Sequence, residues 1–297
     1  MLSEGRPSNL KLYSLLALMV LLWSANFAVG KYVLRQIPPL LTVGLRTSIA
    51  AFAMLGVYTA WVKRNGRYTW ERRDVPLLIA LGLTGVGLNQ LFFVLGLAGT
   101  SVSHAAVIMG MTPVLVLIIA AVSGLERMSI GRLAGMLIAL CGVGVLQTGA
   151  PQGRGYGWTG DLFIFLASLT FAIYTVRGKR EVGRLGGVTM NTFAYIVSAL
   201  FLIPVTVYTA SGFNFSAVST STWVCLLYMS LFPSVLCYLI YYYALTWIPA
   251  SRVSALAYFQ PLLAMLIAIP TVGEYPTASL FAGGAVVLTG VFMAERL

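Results

Sequence analysis

Charged side chains are scarce in this 297-residue sequence. Asp, Glu, Lys and Arg together make up 9% of the chain, and only eight of these residues are acidic, whereas charged residues make up about 25% of an ordinary soluble domain. The hydrophobic share is 59% and the mean hydropathy is +0.89. A chain of this composition has too few polar groups to cover a water-exposed surface, so the sequence predicts an integral membrane protein without a soluble domain.

Cysteine and histidine are also rare, and their scarcity excludes several kinds of chemistry. The three cysteines, Cys141, Cys225 and Cys237, all lie in apolar runs and are odd in number, which argues for buried small side chains and against a disulfide framework. A single histidine with no Cys or carboxylate cluster near it makes no metal site. The apolar runs hold no cluster of acid, base and nucleophile, and the chain has no Walker pattern. We therefore expect no cofactor, no metal, no ATPase partner and no enzymatic activity.

Long apolar runs fill most of the sequence. Ten of them are long enough to cross about 30 Å of hydrocarbon, and their centres lie near residues 22, 51, 86, 112, 139, 168, 199, 235, 262 and 287. With a cytoplasmic N-terminus, fifteen of the nineteen cationic residues fall on cytoplasmic segments; the other four are Lys31, Arg35, Arg46 and Arg154. The positive-inside rule then predicts a multi-pass membrane protein of ten spans with both termini in the cytoplasm. It also explains the net charge of +11 without nucleic-acid binding.

The two halves of the chain repeat each other. A shift of 148 residues places Pro113 on Pro261, and it also pairs Glu126 with Glu274, Ser103 with Ser251, Gly96 with Ala244, Gly135 with Gly283 and Gly142 with Gly290. Earlier in the chain a shift of 144 lays residues 22–28 on residues 166–172. The sequence thus divides into five-span repeats at residues 1–149 and 150–297. Because five is odd, the predicted fold class is an all-α membrane protein with ten transmembrane helices in two inverted five-helix repeats around a central cavity.

Inverted repeats are typical of proteins that expose one central site to either side of a membrane in turn. Pro113 and Pro261 fall near the middle of the fourth and ninth spans, where paired interruptions point to a substrate site. Each proline frees the carbonyl four residues earlier, at Met109 and Ala257, and in a bilayer that oxygen needs protein or a wet cavity around it. We expect these carbonyls to accept a substrate ammonium group. An ordinary kink without a ligand is the alternative interpretation.

Helical spacing brings polar and aromatic residues onto common faces. Trp23 and Asn26 share a face of the first span, and Tyr238 and Tyr242 share a face of the eighth. An unpaired amide in hydrocarbon is costly, so Asn26 and Gln90 must face protein or water. Two interpretations stay open for these amides: a hydrogen bond between helices or a contact with a ligand. Tyrosines near span ends can also belong to interfacial aromatic belts.

The placement of charge separates substrate classes. All eight acidic residues lie in loops, at span ends or in the tails, whereas a pump for lipophilic cations or a carboxylate-based proton antiporter usually has an acid in its pathway. Phosphorylated substrates would call for several cavity cations, and only Lys31 and Arg46 are available. Both lie near the outer ends of their spans, where they either snorkel to the surface or pair with a substrate carboxylate. His104, at the outer start of the fourth span, is either an interfacial histidine or a proton switch.

Several short motifs together resemble a known family. They are LLWSANFAVGK at residues 21–31, TP at 112–113, GLE at 124–126, QP at 260–261 and GEYPT at 273–277. In their order and register they are similar to the EamA branch of the drug/metabolite transporter superfamily, and within it to bacterial aromatic amino-acid exporters. The resemblance covers the whole chain. It implies a ten-helix bundle whose central cavity is walled mainly by spans one, three, four, six, eight and nine.

These observations predict a secondary transporter that moves neutral, in particular aromatic, amino acids and related metabolites by alternating access, as an exporter or a facilitator. The predicted substrate-binding residues are Trp23, Asn26, Gln90, Phe93, Met109, Thr112, Thr170, Tyr174, Tyr238, Tyr242, Tyr258 and Gln260. Pro113 and Pro261 are the predicted gating breaks, and Lys31 and Arg46 the predicted carboxylate partners. The alternatives are efflux of drugs or other metabolites by the same fold and, from another class, an intramembrane enzyme or a lipid-binding scaffold. The expected partners are a small-molecule substrate and membrane lipid, and the chain is expected to be a monomer or a weak homo-oligomer.

Overall fold

The computed structural model of the chain describes residues 7–65, 69–125, 129–148, 157–261, 263–264, 266–267 and 277–296. Within these ranges all regular secondary structure is helical. Glu126, Arg154 and Glu274 lie outside the described residues, as does the predicted boundary between the repeats at residues 149 and 150.

The first half of the chain contains five helices. They are α1 (Asn9–Val33), α2 (Pro39–Asn65), α3 (Arg72–Gly99), α4 (Val102–Val122) and α5 (Ile130–Thr148). The hydroxyl of Ser8 caps α1 by accepting a hydrogen bond from the backbone N–H of Lys11, which satisfies one of the unpaired donors of the first turn. Proline opens α2 at Pro39, where its missing N–H costs nothing.

The second half of the chain follows the same order. Its helices are α6 (Trp158–Leu185), α7 (Gly187–Ser211), α8 (Thr220–Trp247), α9, which is described as Ala250–Ala255 with a 3-10 turn at Leu256–Phe259 and further helical residues up to 267, and α10 (Ala278–Arg296). α6 ends at Gly186, whose φ of +77° lies in the left-handed region that glycine enters readily. This glycine lets α7 begin at the next residue.

Seven of these helices, α1 to α4 and α6 to α8, are long and apolar enough to cross a membrane, and α5 and α10 carry shorter apolar stretches over Ile130–Val145 and Ala278–Ala294. Their large apolar side chains also face outward: Phe52 is 78% exposed and Leu200 is 63% exposed, which suits hydrocarbon and not water. The predicted ninth span includes residues 262, 265 and 268–276, so part of it lies outside the described residues. The structure confirms an all-helical membrane protein, and the count of ten spans stays a prediction.

Three of the long helices are irregular near their middle. α4 is interrupted at Gly110 and Met111, directly before Pro113. α3 and α8 each contain a wider π-helical turn, at Leu83–Leu88 and Phe232–Leu236. Turns of this kind often mark functional sites in helices, and here they flank the centre of the molecule.

α5 and α10 pack against each other in antiparallel fashion through glycines. A β-carbon on Gly135 would lie 2.5 Å from the carbonyl oxygen of Gly290, and one on Gly142 would lie 2.9 Å from that of Gly283. The two backbones therefore touch directly, as in other membrane helix pairs with small residues at their interface. The small-residue face of α5 is thus used within the chain.

Two lysines make equivalent contacts in the two halves. The lysine of α1 donates from Nζ to two carbonyl oxygens at the end of α3, and the lysine of α6 donates to two carbonyl oxygens at the end of α8. The bonds run from Lys31 to Leu97 (2.9 Å) and Thr100 (2.6 Å), and from Lys179 to Leu245 and Ile248 (3.0 Å for Ile248). Each residue in the first set lies 148 positions before its counterpart.

A second pair of contacts obeys the same shift. The Asn89 amide donates from Nδ2 to the carbonyl oxygen of Ala167 at 2.9 Å, and the thiol of Cys237 donates to that of Met19 at 3.7 Å. Positions 89 and 237, like positions 19 and 167, differ by 148. The prediction that α1 matches α6 with a shift of 144 is therefore wrong. The contacts of both helices place their equivalence at 148, the register of the later helices.

Candidate functional site: the central cavity

A cavity lies at the centre of the bundle, between helices of both halves. Its empty space is about 680 Å³, counting the open side. The lining residues are Met19, Trp23, Asn26, Phe27, Arg46, Asn89, Gln90, Phe93, Met109, Thr112, Phe171, Tyr238, Tyr241, Val253, Ser254, Ala257 and Gln260. They come from α1, α3, α4, α6, α8 and α9, as the family resemblance implies, and from α2, which contributes Arg46.

Aromatic rings form one wall of the cavity around Trp23. The centroid of its ring lies 5.8 Å from Phe171, 6.1 Å from Tyr238 and 5.7 Å from Tyr241. The contacts with Phe171 and Tyr238 are edge-to-face, the arrangement that ring quadrupoles favour. The indole Nε1 donates to the carbonyl oxygen of Pro233 at 3.1 Å. The π-turn of α8 therefore fixes the orientation of this ring.

The cavity amides differ in what they bind. Asn89 donates to Ala167, and its Oδ1 accepts from the hydroxyl of Tyr238 at 3.2 Å, so this side chain links three helices. Asn26 is 5% exposed, and its Oδ1 has no hydrogen-bond partner. A buried amide oxygen without a partner is costly. Of these two amides, Asn26 is therefore the one with an acceptor left for a solute.

Arg46 is the cation of the cavity lining. It lies on α2 with 2% of its surface exposed, and its Nε donates to the hydroxyl of Ser234 at 2.9 Å. Its terminal nitrogen Nη1 is buried without a hydrogen-bond partner. Of the two interpretations for this position, snorkelling to the surface does not hold, because the side chain turns into the protein and reaches α8; its role as a carboxylate partner stays a prediction.

Lys31 does not join Arg46 in the cavity lining. Its Nζ donates to two carbonyl oxygens at the end of α3, those of Leu97 and Thr100, where helix carbonyls lack partners within the helix. In this structure Lys31 therefore caps the end of α3 and lies outside the lining of the central cavity.

The break in α4 is satisfied within the chain. The hydroxyl of Thr112 donates to the carbonyl oxygen of Met109 at 2.7 Å, the same oxygen that Pro113 deprives of its helical donor. Thr112 thus occupies the acceptor that the sequence assigned to a substrate ammonium. Pro113 is buried outside the cavity lining.

Pro261 lines a separate cavity between α4, α9 and α10. This second cavity has about 530 Å³ of empty space, and its other lining residues are Ser103, Val107, Leu280, Phe281, Gly284, Ala285 and Leu288. The wall of this second cavity is almost wholly apolar. Because Pro261 lines it and Pro113 lies outside the central lining, the structure does not place the two prolines across one substrate site. Neither proline lines the central cavity.

Four further predicted residues also lie outside the central lining. Thr170 donates to backbone carbonyls of its own helix, Tyr174 donates to Asn191 at 2.9 Å, and Tyr242 donates to the carbonyl oxygen of Tyr174 at 3.4 Å. Tyr258 packs on the cluster between α4, α5 and α10. Two of these side chains, Tyr174 and Tyr242, thus bond between helices, and Thr170 bonds within its own helix.

Eight lining residues were missing from the predicted set. They are Met19, Phe27, Asn89, Phe171, Tyr241, Val253, Ser254 and Ala257. A shift of 148 applied to α1 would have paired Trp23 with Phe171, and both rings line the cavity. The shift of 144 pairs Trp23 with Ala167 and Phe27 with Phe171, so it put Phe171 on the matching face of α6 without making it a predicted substrate-binding residue.

A buried polar cluster lies where α3 ends and α6 begins. His104 Nδ1 is 3.7 Å from Asp161 Oδ2, and their side chains are 5% and 8% exposed. The hydroxyl of Thr100 donates to Asp161 Oδ1. Asp161 thus lies at the end of its span, as the sequence indicates for the acidic residues, but its side chain is buried there. His104 is buried beside it and is not an exposed interfacial residue.

A central cavity between long apolar helices defines a multi-pass membrane protein with a candidate small-molecule site. The chain belongs to the EamA-like transporter family, whose family model matches residues 10–148 and again residues 158–295. The protein is therefore a membrane transporter.

Relatives and a solved structure agree with this assignment. The chain is 26% identical over 284 residues to the uncharacterized transporter YetK of Bacillus subtilis (95% of this chain, 86% of the relative) and 27% identical over 289 residues to an uncharacterized transporter of Archaeoglobus fulgidus (97% and 99%). It is 25% identical over 225 residues to a probable terminal-alkyne amino-acid exporter of Streptantibioticus cattleyicolor (75% and 74%). A solved crystal structure with 18% identity superposes with a TM-score of 0.69 over 97% of both chains, which shows a shared fold.

Proposed function

We propose that this protein is a secondary transporter that carries neutral amino acids, in particular aromatic ones, across the bacterial inner membrane by alternating access, as an exporter or a facilitator. The observation that carries the proposal is the central cavity, which both halves build and which joins an aromatic wall to buried polar groups. One relative is named as an amino-acid exporter, which supports the same class of cargo.

The chemistry of the wall suits an aromatic side chain. The rings of Trp23 and Phe171 each pair with those of Tyr238 and Tyr241 and with each other. A further ring placed among them would gain about 0.5–1.5 kcal/mol for each favourable ring pair beyond its burial. The Asn26 amide oxygen offers an acceptor to an ammonium group. Gln90, Thr112 and Gln260 supply further polar lining.

The contacts of the two halves support an inverted repeat with units at residues 1–149 and 150–297. The family model matches once in each half, and two sets of hydrogen bonds repeat with a shift of 148. α3 packs on α6 and α7, and α8 packs on α1 and α2, as an exchange of the halves requires. Exchanging the two halves replaces α5 by α10 and α10 by α5, so this antiparallel pair is unchanged. A pseudo-twofold axis in the membrane plane accounts for all of these contacts.

Alternating access follows from such a pair of halves. The ends of α3 and α8 are tied to α1 and α6 by Lys31 and Lys179, and in an inverted repeat these two ties lie at opposite faces of the membrane. Cytoplasmic termini, as the positive-inside rule predicts, place Lys179 on the cytoplasmic side. We infer a monomer or a weak homo-oligomer, because the glycine face of α5 is occupied by α10.

Flux measurements in proteoliposomes test the proposal. Labelled phenylalanine, tyrosine, tryptophan and leucine are exchanged without ATP, with and without a proton gradient. We expect saturable counterflow without a gradient, a loss of roughly tenfold or more in Trp23→Ala, and no change in the lipid-facing control Phe52→Ala. Absence of amino-acid flux from folded, inserted protein would contradict the proposal.

Efflux of lipophilic compounds is the second candidate function, because the cavity wall is mostly apolar and aromatic. Competition decides between the two: a neutral lipophilic dye that blocks counterflow and is itself transported would favour efflux. A requirement for a proton gradient would direct attention to Asp161 and His104, and Asp161→Asn would then uncouple flux from the gradient. Gradient-independent flux supports the facilitator instead.

A further inference from the structure

We propose that Arg46 is the anion-binding end of the central cavity and that the cargo carries a carboxylate, bound to this guanidinium while its apolar body lies on the ring wall around Trp23. The inference rests on the proposed function for its site, because both use the same cavity. It adds the chemical group that a solute must have in order to bind.

The first argument is the state of the guanidinium. Arg46 is 2% exposed and lines the cavity, yet of its donors Nε is bound to Ser234 while Nη1 is buried with no partner. A guanidinium offers five N–H donors in a planar fork that matches a carboxylate. An arginine with a purely structural role would have these donors satisfied by neighbouring groups.

The second argument is the charge around Arg46. The side chains that interact with it electrostatically are Tyr195, Tyr238, Cys237 and Tyr228, and all four types are neutral at pH 7. Within the described ranges, the ion pairs formed by Asp74, Asp161, Glu71 and Glu181 involve other cations. A buried cation without a counter-ion is costly. A carboxylate supplied by the solute would remove this cost.

The third argument is how Arg46 and Trp23 are held. Ser234 binds the arginine Nε, and the adjacent Pro233 accepts from the tryptophan Nε1. Both residues belong to the π-turn Phe232–Leu236 of α8, and the Ser234 hydroxyl is itself fixed by a bond to the Met229 carbonyl at 2.9 Å. One turn of backbone therefore sets the separation between the cation and the ring wall. A solute that carries a carboxylate next to an aromatic body presents one group to the cation and the other to the ring wall.

Binding of matched acids and amides to the full chain in nanodiscs tests the inference. The pairs are 3-phenylpropionate with 3-phenylpropanamide and L-phenylalanine with L-phenylalaninamide, which differ only at the carboxyl group. For the unsubstituted protein we expect each acid to bind roughly 10- to 100-fold more tightly than its amide, the effect of a hydrogen bond to a charged group. Arg46→Gln should bring this ratio close to one.

Matched variants separate recognition from folding. Arg35→Gln removes the same charge from an exposed position and should leave the acid-to-amide ratio unchanged. Ser234→Ala should lower the ratio several-fold, and Ser234→Thr, which keeps the hydroxyl, should restore it; a merely structural serine would alter stability without altering the ratio. If Arg46→Gln does not fold, Arg46→Lys provides the test, because it keeps the charge and loses the bidentate fork.

The outcomes of this experiment and of the flux measurement are distinct. Equal binding of acid and amide by the unsubstituted protein, or an acid preference that survives in folded Arg46→Gln, overturns the inference even if amino acids are transported. An Arg46-dependent preference for 3-phenylpropionate in a protein that transports no amino acid supports the inference and overturns the proposed function.

Discussion

Asn26 and Asn89 are two asparagines of one cavity with different existing partners. Asn89 binds Ala167 and Tyr238, whereas the Oδ1 of Asn26 has no partner. We therefore expect Asn89→Leu to destabilise the fold by about 1 kcal/mol or more, since it leaves buried groups unsatisfied. Asn26→Leu should leave the unfolding temperature nearly unchanged and lower counterflow several-fold. Thermal unfolding in detergent and flux in proteoliposomes measure the two effects, and equal destabilisation by both substitutions would contradict the assignment.

Residues of the site were predictable where a single helix determines their position. Helical spacing and one buried polar side chain per span indicated Trp23, Asn26 and Gln90, and all three line the cavity. For Arg46 the sequence left a surface and a cavity position open because it lies early in its span, and its depth depends on Ser234, 188 residues further along the chain. Phe171 was left out of the predicted substrate-binding residues, although the shift of 144 pairs it with Phe27 on the face of Trp23 and Asn26. Contacts between distant helices are not encoded in local periodicity.

The break in α4 is the first feature that can be tested at the scale of an element. Thr112 supplies a donor to the Met109 carbonyl that Pro113 leaves without one. Thr112→Val should therefore cost about 1–3 kcal/mol of folding free energy. Pro113→Ala supplies a backbone N–H at residue 113 that can donate to the Met109 carbonyl. In the Pro113→Ala background, Thr112→Val should therefore cost much less folding free energy. A double-mutant cycle by thermal unfolding measures this coupling, and additive effects would argue against a shared acceptor.

The glycine contact between α5 and α10 gives a matched pair of substitutions within one helix. Gly135→Ala places a β-carbon 2.5 Å from the carbonyl oxygen of Gly290, so the helices must separate, at a cost of about 1–3 kcal/mol or more. Gly144 has no atom within 4 Å of an added β-carbon. Gly144→Ala should therefore be neutral or stabilising by up to about 1 kcal/mol. Thermal unfolding of both variants checks this; a tolerated Gly135→Ala would exclude direct backbone contact.

Helices themselves were the most predictable level of this fold. Nine of them lie where nine of the apolar runs are centred, because the length of a run and the thickness of a bilayer determine a span without reference to neighbours. The π-turns of α3 and α8 carry no such signal. Only Pro233 hints at one of them, and the turn at Leu83–Leu88 contains no proline.

At the scale of the whole molecule, the two lysine contacts should act in opposite directions. Lys31→Met loosens the end of α3, and Lys179→Met loosens the equivalent end of α8. If the two ends open in turn, each substitution shifts the population toward the state that is open on its own side, by an amount set by the lost contacts.

Hydrogen–deuterium exchange of peptides covering residues 97–104 and 245–250 measures this shift. We expect faster exchange in the first peptide for Lys31→Met and in the second for Lys179→Met, with slower exchange at the opposite end in each case. In the double variant, the relative exchange rates of the two peptides should return toward those of the unsubstituted protein. Faster exchange at both ends in either single variant would indicate general loosening and contradict alternation.

The glycine contact between α5 and α10 also has a consequence for the synthesis and assembly of the protein. The two helices touch through their backbones although about 148 residues separate equivalent positions. At a synthesis rate of about 5–20 residues per second, α10 reaches the membrane roughly 7–30 s after α5. During that interval the narrow face of α5 is open to any other helix rich in small residues, including the same helix of a second nascent chain. Once α10 packs on α5, this glycine face is no longer open to other helices. We therefore expect the speed of translation across the second half to influence how many chains assemble correctly.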